Sequence, residues 1–383
     1  MSKPWTTRSG SAKKTAGLRR GVEALFAAIL AVAPTLIPLP AAQRVVRRPR
    51  PGASGIGVEP CAVPRTRCRA SGLLSGAVLL LGLGFFLSAQ AQEPSVAVLY
   101  PEVRDPYRGV FLEIVRGIET ELKRPVSQYL LKSGEDASPA MIERMKADHI
   151  DVVVSLGQAG LSAAKPISAA FPVVIGAVFV SPGQETEGVS GISLTPDPEV
   201  LFDRLKALVP GAKEVTVIFD PTQKAWEIAR ARNAAEARGL TLNAFPADDL
   251  HLSAQLFRDT LLGIKDDSIA VWLPQNNAAV DEKALLPVVL KEAWDKQFVV
   301  FSSNLDHVRK GALFSLYPDN FGMGRSLAVM ARGRARNASP QSASIEPLRD
   351  LLIAVNLRTA EHLGLNLANS AKVKFDLTFP QPQ

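Results

Sequence analysis

Residues 151–179, DVVVSLGQAGLSAAKPISAAFPVVIGAVF, decide the fold. Two runs rich in Val and Ile, DVVVSL (151–156) and PVVIGAVF (172–179), flank a stretch of helix length. Runs that are continuously apolar, rather than alternating, belong to strands buried on both faces. A strand, a helix and another strand make a right-handed βαβ unit, and so a parallel sheet. The same grammar extends both ways. SVAVLY (95–100) and VSQYLL (126–131) precede the unit; EVTVIF (214–219), LTLNAF (240–245), SIAVWL (268–273) and FVVFSS (298–303) follow it. Between these runs, Val110, Ile114, Ile118 and Leu122 share one stripe of period 3.6, as do Leu201, Leu205 and Leu208. The series breaks at residues 181–197, SPGQETEGVSGISLTPD, where Pro and Gly punctuate a polar stretch and Val189 to Ser193 form a short crossing strand. Asp197 caps the next helix, with Pro198 at its first position. The expected fold class is α/β, with two doubly wound parallel-sheet lobes joined by a hinge. FGMGRSLAVMARGRA (321–335) reads as one more helix, and Gly322 and Gly324 in it as close helix packing rather than a dinucleotide loop.

The chain has 383 residues, 47% of them apolar, which suffices for two globular domains at roughly 100 to 200 residues each. Its formal charge of +7 comes from the leader: residues 1–92 hold 13 Lys and Arg against 2 Asp and Glu, leaving the remainder at −4. The folded body therefore has no summed positive field for a phosphate backbone, and no nucleic-acid partner is expected. Both cysteines, Cys61 and Cys68, also lie in the leader, so the body has no thiol for a disulfide, a zinc site or nucleophilic catalysis.

Residues 71–88, SGLLSGAVLLLGLGFFLS, follow Arg65, Arg67 and Arg69 and precede Ala89-Gln90-Ala91. A basic region, an apolar run and small residues at the recognition positions read as a signal peptide over 63–91, cleaved after Ala91. Residues 1–62 are then a misassigned upstream segment, with translation beginning near Val63, or a leader in which residues 21–42 form a membrane segment.

No nucleophile elbow, zinc-protease helix, paired-cysteine motif or phosphate loop occurs in the sequence. The four histidines, His149, His251, His307 and His362, lack an orienting partner and are expected at the surface. No catalytic residue, metal site or cofactor is expected, and the chain is read as a non-enzyme. What recurs instead is a set of polar and aromatic residues at the C-terminal ends of strands, where open α/β sheets gather ligands. Tyr100, Gln158 with Ala159, and Phe179 end strands of the first series. Asp220 with Gln223, Asn276, and Ser302, Ser303 and Asn304 end strands of the second. Such side chains hydrogen-bond a small polar molecule and stack on a flat one. Helices starting just after Gln158 and Ser302 would aim backbone N–H groups at the cleft and favour an anion. Each residue also has an ordinary local reading: Asp220-Pro221 is turn chemistry, and Ser303 or Asn304 can cap a helix.

Four stretches, DVVVSLGQAGLSAAKP, GVSGISLTPDPEVLFDRLKALVPGAKEVTVIFDP, FVVFSSNLDHVRKGALFSLYPDNFGMGR and IAVNLRTAEHLGLNL, cover most of residues 95–367. They resemble the periplasmic substrate-binding components of ABC transporters of the tryptophan/tyrosine-binding type. The resemblance implies a type I periplasmic-binding-protein-like fold with a three-stranded hinge. By the same analogy lobe 1 takes residues 93–192 and 316–345, and lobe 2 takes 193–315 and 346–383. Positions matching the family's binding loops are Tyr100, Gln158, Ala159, Asp220, Asn276, Ser303 and Tyr317. Two acidic loop positions of the family read Ser181 and Ser303 here, leaving Asp220 and Asp319 as the nearby carboxylates for a ligand ammonium. The function implied is that of a periplasmic, monomeric receptor that captures a small polar or aromatic ligand and delivers it to an ABC permease in the inner membrane. The alternative is a sensor of the same fold that signals to a histidine kinase or another membrane receptor.

Overall fold

A computed structural model describes residues 93–132, 137–265, 267–275, 277–336, 343–367 and 374–380. The signal-peptide reading, both cysteines and Asn276 lie outside the described residues.

The chain first runs through β1 (Val96–Pro101), α1 (Tyr107–Leu122), β2 (Ser127–Leu131), α2 (Pro139–Ala147), β3 (Val152–Leu156), α3 (Gly157–Ser168), β4 (Val173–Val178) and β5 (Ser190–Pro196). It continues through α4 (Pro198–Leu208), β6 (Glu214–Phe219), α5 (Pro221–Glu236), β7 (Thr241–Pro246), α6 (Leu250–Gly263) and β8 (Ile269–Leu273). Next come α7 (Leu285–Lys296), β9 (Val299–Ser302), α8 (Leu305–Lys310), β10 (Phe314–Pro318) and α9 (Asn320–Arg336). The chain closes with β11 (Ile345–Leu348), β12 (Leu351–Asn356), α10 (Leu357–His362) and β13 (Leu377–Phe379).

Among the described residues these strands form two sheets, ordered β11-β5-β4-β3-β1-β2 and β13-β12-β10-β9-β8-β6-β7. All neighbours are parallel except β10 and β12. The inner strands β1, β3 and β4 of the first sheet are buried on both faces, which explains their unbroken apolar runs. Ala97, Leu99, Val153 and Val173 meet Ala163, Ala164 and Ile167 of α3 on one side. On the other, Val96, Val98, Val152 and Val154 meet Ile114 and Ile118 of α1 and Met323 and Leu327 of α9. Helices α1 and α9 touch at Gly117 and Gly324, whose Cα atoms leave no room for a Cβ on either residue. In the second lobe an aromatic column fills the core: Phe202 meets Trp272 edge-on at 5.7 Å, and Phe301 stacks on Phe314 at 5.2 Å.

The chain crosses between lobes three times: from β5 into α4, from β10 into α9, and from β11 into β12. The crossings are tied to one another. Asp197 N donates to Leu348 O at 2.8 Å, and Asp319 N to Asp350 O at 3.0 Å. The buried Asp197 carboxylate caps α4 through Glu199 N and accepts from Arg349 Nη1 at 2.5 Å. Strand β5 extends beyond the short Val189 to Ser193 segment and belongs wholly to the first sheet, so the chain passes to the second lobe at residues 196–198.

Candidate functional site

Residues that follow β4 in the first lobe and β6 in the second face one another across a cleft. Strand β4 carries a bulge around Ala177, which has φ 55°, and beyond it Phe179, Val180 and Ser181 line a cavity of about 500 Å³. Gly183, Glu185 and Thr195 complete the wall from the first lobe. The opposite wall is the first two turns of α5, with Gln223, Lys224, Trp226 and Glu227. Trp226 reaches across the cleft and packs on the apolar cluster of the first lobe. The Arg230 guanidinium covers its ring at 5.8 Å.

Lys224 and Glu227 form an ion pair, with Nζ 3.1 Å from Oε2 and side chains only 6% and 3% exposed. Oε2 is buried and makes no hydrogen bond in addition to this charge contact. Burial, the largest influence, raises the Glu227 carboxyl above its usual range, and Lys224 opposes it. Both residues escaped sequence reasoning, because Lys and Glu three apart on a helix normally face water. A signal existed nonetheless: the buried stripe Ile228, Ala231 and Ala235, continued one turn toward the N-terminus, lands on Lys224.

Gln223 also lines an adjoining cavity of about 330 Å³ with Asn277, Glu282, Asn304 and His307. Asn277 stitches this region to β6, accepting from Asp220 N at 3.0 Å and donating to Ile218 O at 2.7 Å. His307 corrects the expectation of a surface histidine: it is 2% exposed. The short helix α8 turns its ring back under β9, where Nδ1 lies 2.8 Å from Ser302 Oγ. The hydroxyl already donates to Leu273 O and accepts from Asn304 N, so the Nδ1 proton is the one donated to Ser302. Nε2 then faces Glu282 Oε1 at 3.4 Å. With its own hydrogen committed to a carbonyl and no exposure, Ser302 is no nucleophile.

Burial, the largest influence, pushes the His307 imidazole below its usual value of 6.5, while Glu282 and Asp306 pull it upward and Lys310 lowers it further. A hydrogen bond from Lys310 in turn holds Glu282 below the ordinary carboxylate range. The folded chain therefore takes up the His307 proton less readily than the unfolded chain. This group's share of stability is whole above pH 6.5 and is lost as pH falls through the folded-state value. His307→Gln is expected to flatten the acid-side decline of the urea midpoint, and an unchanged slope would contradict that role.

The structure brings only part of the sequence-derived set to the cavities. Phe179 and Gln223 line the larger one; Gln223 and Asn304 line the smaller. Gln158 is exposed on the first turn of α3, which starts at Gly157 with φ 74°, a conformation suited to glycine. Ala159 is half-buried against the first-lobe cluster. Tyr100 is buried, stacked on Phe111 at 5.8 Å, and donates its hydroxyl to Gln128 Oε1. Asp220 spends its carboxylate on Thr222 N and Oγ1, and Ser303 Oγ accepts from Trp272 Nε1 at 3.2 Å. Asn304 caps α8 through Asp306 N, so part of that helix's N-terminus is already occupied. Tyr317 packs with Val308, Ala354 and Phe379, and burial raises its hydroxyl pKa.

A family model described as ABC transporter substrate binding protein matches residues 117–376. The chain belongs to this family. No curated protein matched the sequence. Among solved structures, the ligand-free, open form of a substrate binding protein with adhesive properties from Clostridium difficile is 17% identical, with a TM-score of 0.53, over 74% of this chain and 99% of the other. The ABC domain from Streptococcus pneumonia in complex with L-Trp is 19% identical, with a TM-score of 0.43, over 74% of this chain and 100% of the other. The sugar-binding protein of a sugar ABC transporter from Bacillus halodurans is 13% identical, with a TM-score of 0.43, over 70% and 99%. The fold of this family member is the two-lobed, type I periplasmic-binding-protein kind. Among the described residues no helix is long and apolar enough to cross a membrane.

Proposed function

We propose that this family member is a secreted periplasmic receptor that closes its two lobes on a small polar or aromatic ligand and hands it to an ABC permease in the inner membrane. The observation that carries this reading is the cavity lined from both lobes, by Phe179 and Thr195 on one side and Gln223 and Trp226 on the other. A ligand held by both walls favours the closed arrangement by its extra contacts there, and three chain crossings supply the hinge. The chemistry this reading requires is recognition alone.

Gln223 and Trp226 are the residues on which affinity should depend most directly, with Phe179 opposite them. A thermal-shift screen of the purified protein against small organic molecules should find a compound that raises the unfolding midpoint. At 100 times its dissociation constant such a ligand adds about 2.7 kcal/mol to stability. Trp226→Ala should weaken that ligand at least about tenfold in calorimetry, since losing an aromatic hot-spot anchor costs about 2 kcal/mol or more and about 1.4 kcal/mol is tenfold. Equal affinity in the variant and the parent would place the ligand elsewhere.

A further inference from the structure

The cavity wall contains a buried charge pair with nothing else to do. Lys224 and Glu227 meet each other at 3.1 Å, and no hydrogen bond to Glu227 Oε2 supports the contact. The two side chains are only 6% and 3% exposed, and what is exposed faces the cavity. A pair of this kind stays acceptable only while its two charges remain matched. A ligand with a net negative charge would draw Lys224 away and strand the carboxylate. A positively charged ligand would draw Glu227 away and strand the ammonium. The exposed Glu185 beside the cavity adds a further repulsion against anions. Asp220 and Asp319, the carboxylates that the sequence offers to a ligand ammonium, are engaged locally: Asp220 by Thr222, Asp319 by Gly322 N.

The pair nonetheless presents a donor and an acceptor side by side, and the aromatic rings of Phe179 and Trp226 line the same cavity from opposite lobes. We propose that the cleft selects an uncharged, flat heterocycle of the nucleobase type, whose adjacent hydrogen-bond acceptor and donor engage Lys224 and Glu227 together while its ring packs among Phe179 and Trp226. Such an edge satisfies both charged groups without separating them, and each contact gains from being charge-assisted. The inference rests on the reading of this cavity as the ligand site.

The test is calorimetry and thermal shift on the full protein at neutral pH. The panel comprises adenine, hypoxanthine, cytosine and uracil, with benzoate as an anion, tyramine as a cation, and tryptophan and tyrosine as zwitterions. At least one base should bind saturably, and benzoate and tyramine should not. Replacing one partner alone risks unfolding, so the double variant Lys224→Met/Glu227→Met is the informative one. It should keep its melting midpoint yet bind the base on the order of 100-fold more weakly, the loss expected for two hydrogen bonds to charged groups. Binding of the anion, the cation or an amino acid in place of the bases overturns the proposed ligand class while leaving the two-lobe receptor intact. Undiminished base binding by the double variant, or silence from every base, overturns it as well. The receptor reading fails separately, through the absence of lobe closure with any ligand.

Discussion

Lys224→Ala is expected to lower the unfolding free energy by about 3–5 kcal/mol, although the residue sits on a solvent-facing cleft. The Lys224 side chain is 6% exposed and that of Glu227 3% exposed, so removing the ammonium leaves a carboxylate without water or a counter-charge. Glu227→Ala should do comparable damage by stranding Lys224. The two losses should not add. Removing both charges with apolar residues of similar length relieves the desolvation of each, and the Met/Met double variant is expected within about 1 kcal/mol of the parent, or above it. Urea denaturation of the parent, Lys224→Met, Glu227→Met and the Met/Met double variant provides the cycle. Single variants that unfold within about 1 kcal/mol of the parent would show the pair to be well solvated, contrary to its burial here.

Gly324→Val should cost about 3 kcal/mol or more, through a backbone collision rather than a cavity. A Cβ built on Gly324 would lie 2.1 Å from Ile114 O, and one on Gly117 would lie 2.1 Å from Phe321 O. The obstructing atoms are backbone on both helices, so relief requires α1 and α9 to move apart and release Met323 and Leu327 from the first-lobe core. Because α9 directly follows the second crossing, such a shift also disturbs the hinge. Gly333 provides the control on the same helix: nothing lies within 4 Å of its Cβ position, and Gly333→Ala should stabilise by about 0.5–1 kcal/mol through helix propensity. Equal effects at the two positions would refute the close-packing account.

Strands β1, β3, β4, β6, β8 and β9 are legible in the sequence because burial on both faces leaves a continuous apolar run: EVTVIF coincides with β6, and SIAVWL and DVVVSL each miss by one residue. Strands β10 to β13 were not read as strands. FSLYP interleaves polar residues and ends in Pro, while β11 and β13 are short edge strands held by tertiary pairing. The Pro and Gly punctuation over residues 181–197 reaches the first crossing only at its end, because residues 190–196 are strand β5 of the first sheet, and the ties between crossings, such as Arg349 to Asp197, join residues 152 positions apart and leave no local pattern.

The site was less legible, for a physical reason. Polar residues at strand ends must satisfy exposed backbone before they can serve a ligand, and Asp220 and Ser302 do so, while Ser303 Oγ accepts from the Trp272 indole. Phe179, just beyond a strand end, does line the cavity, but the second-lobe wall comes from the helix behind the strand end. There Lys224 and Glu227 look like ordinary surface charges until α5 is seen to turn them inward. His307 went unrecognised because its partners, Ser302 and Glu282, lie on other elements, and only the return of α8 beneath β9 assembles them.

Small-angle scattering on the protein, with and without a ligand that raises its melting midpoint, tests the central claim most directly. Closure of two lobes about the crossings at residues 196–198, 318–320 and 348–351 predicts a smaller radius of gyration in the bound state, and recovery of the larger value when the ligand is dialysed away. A radius unchanged at saturation would contradict a receptor that works by closing its lobes.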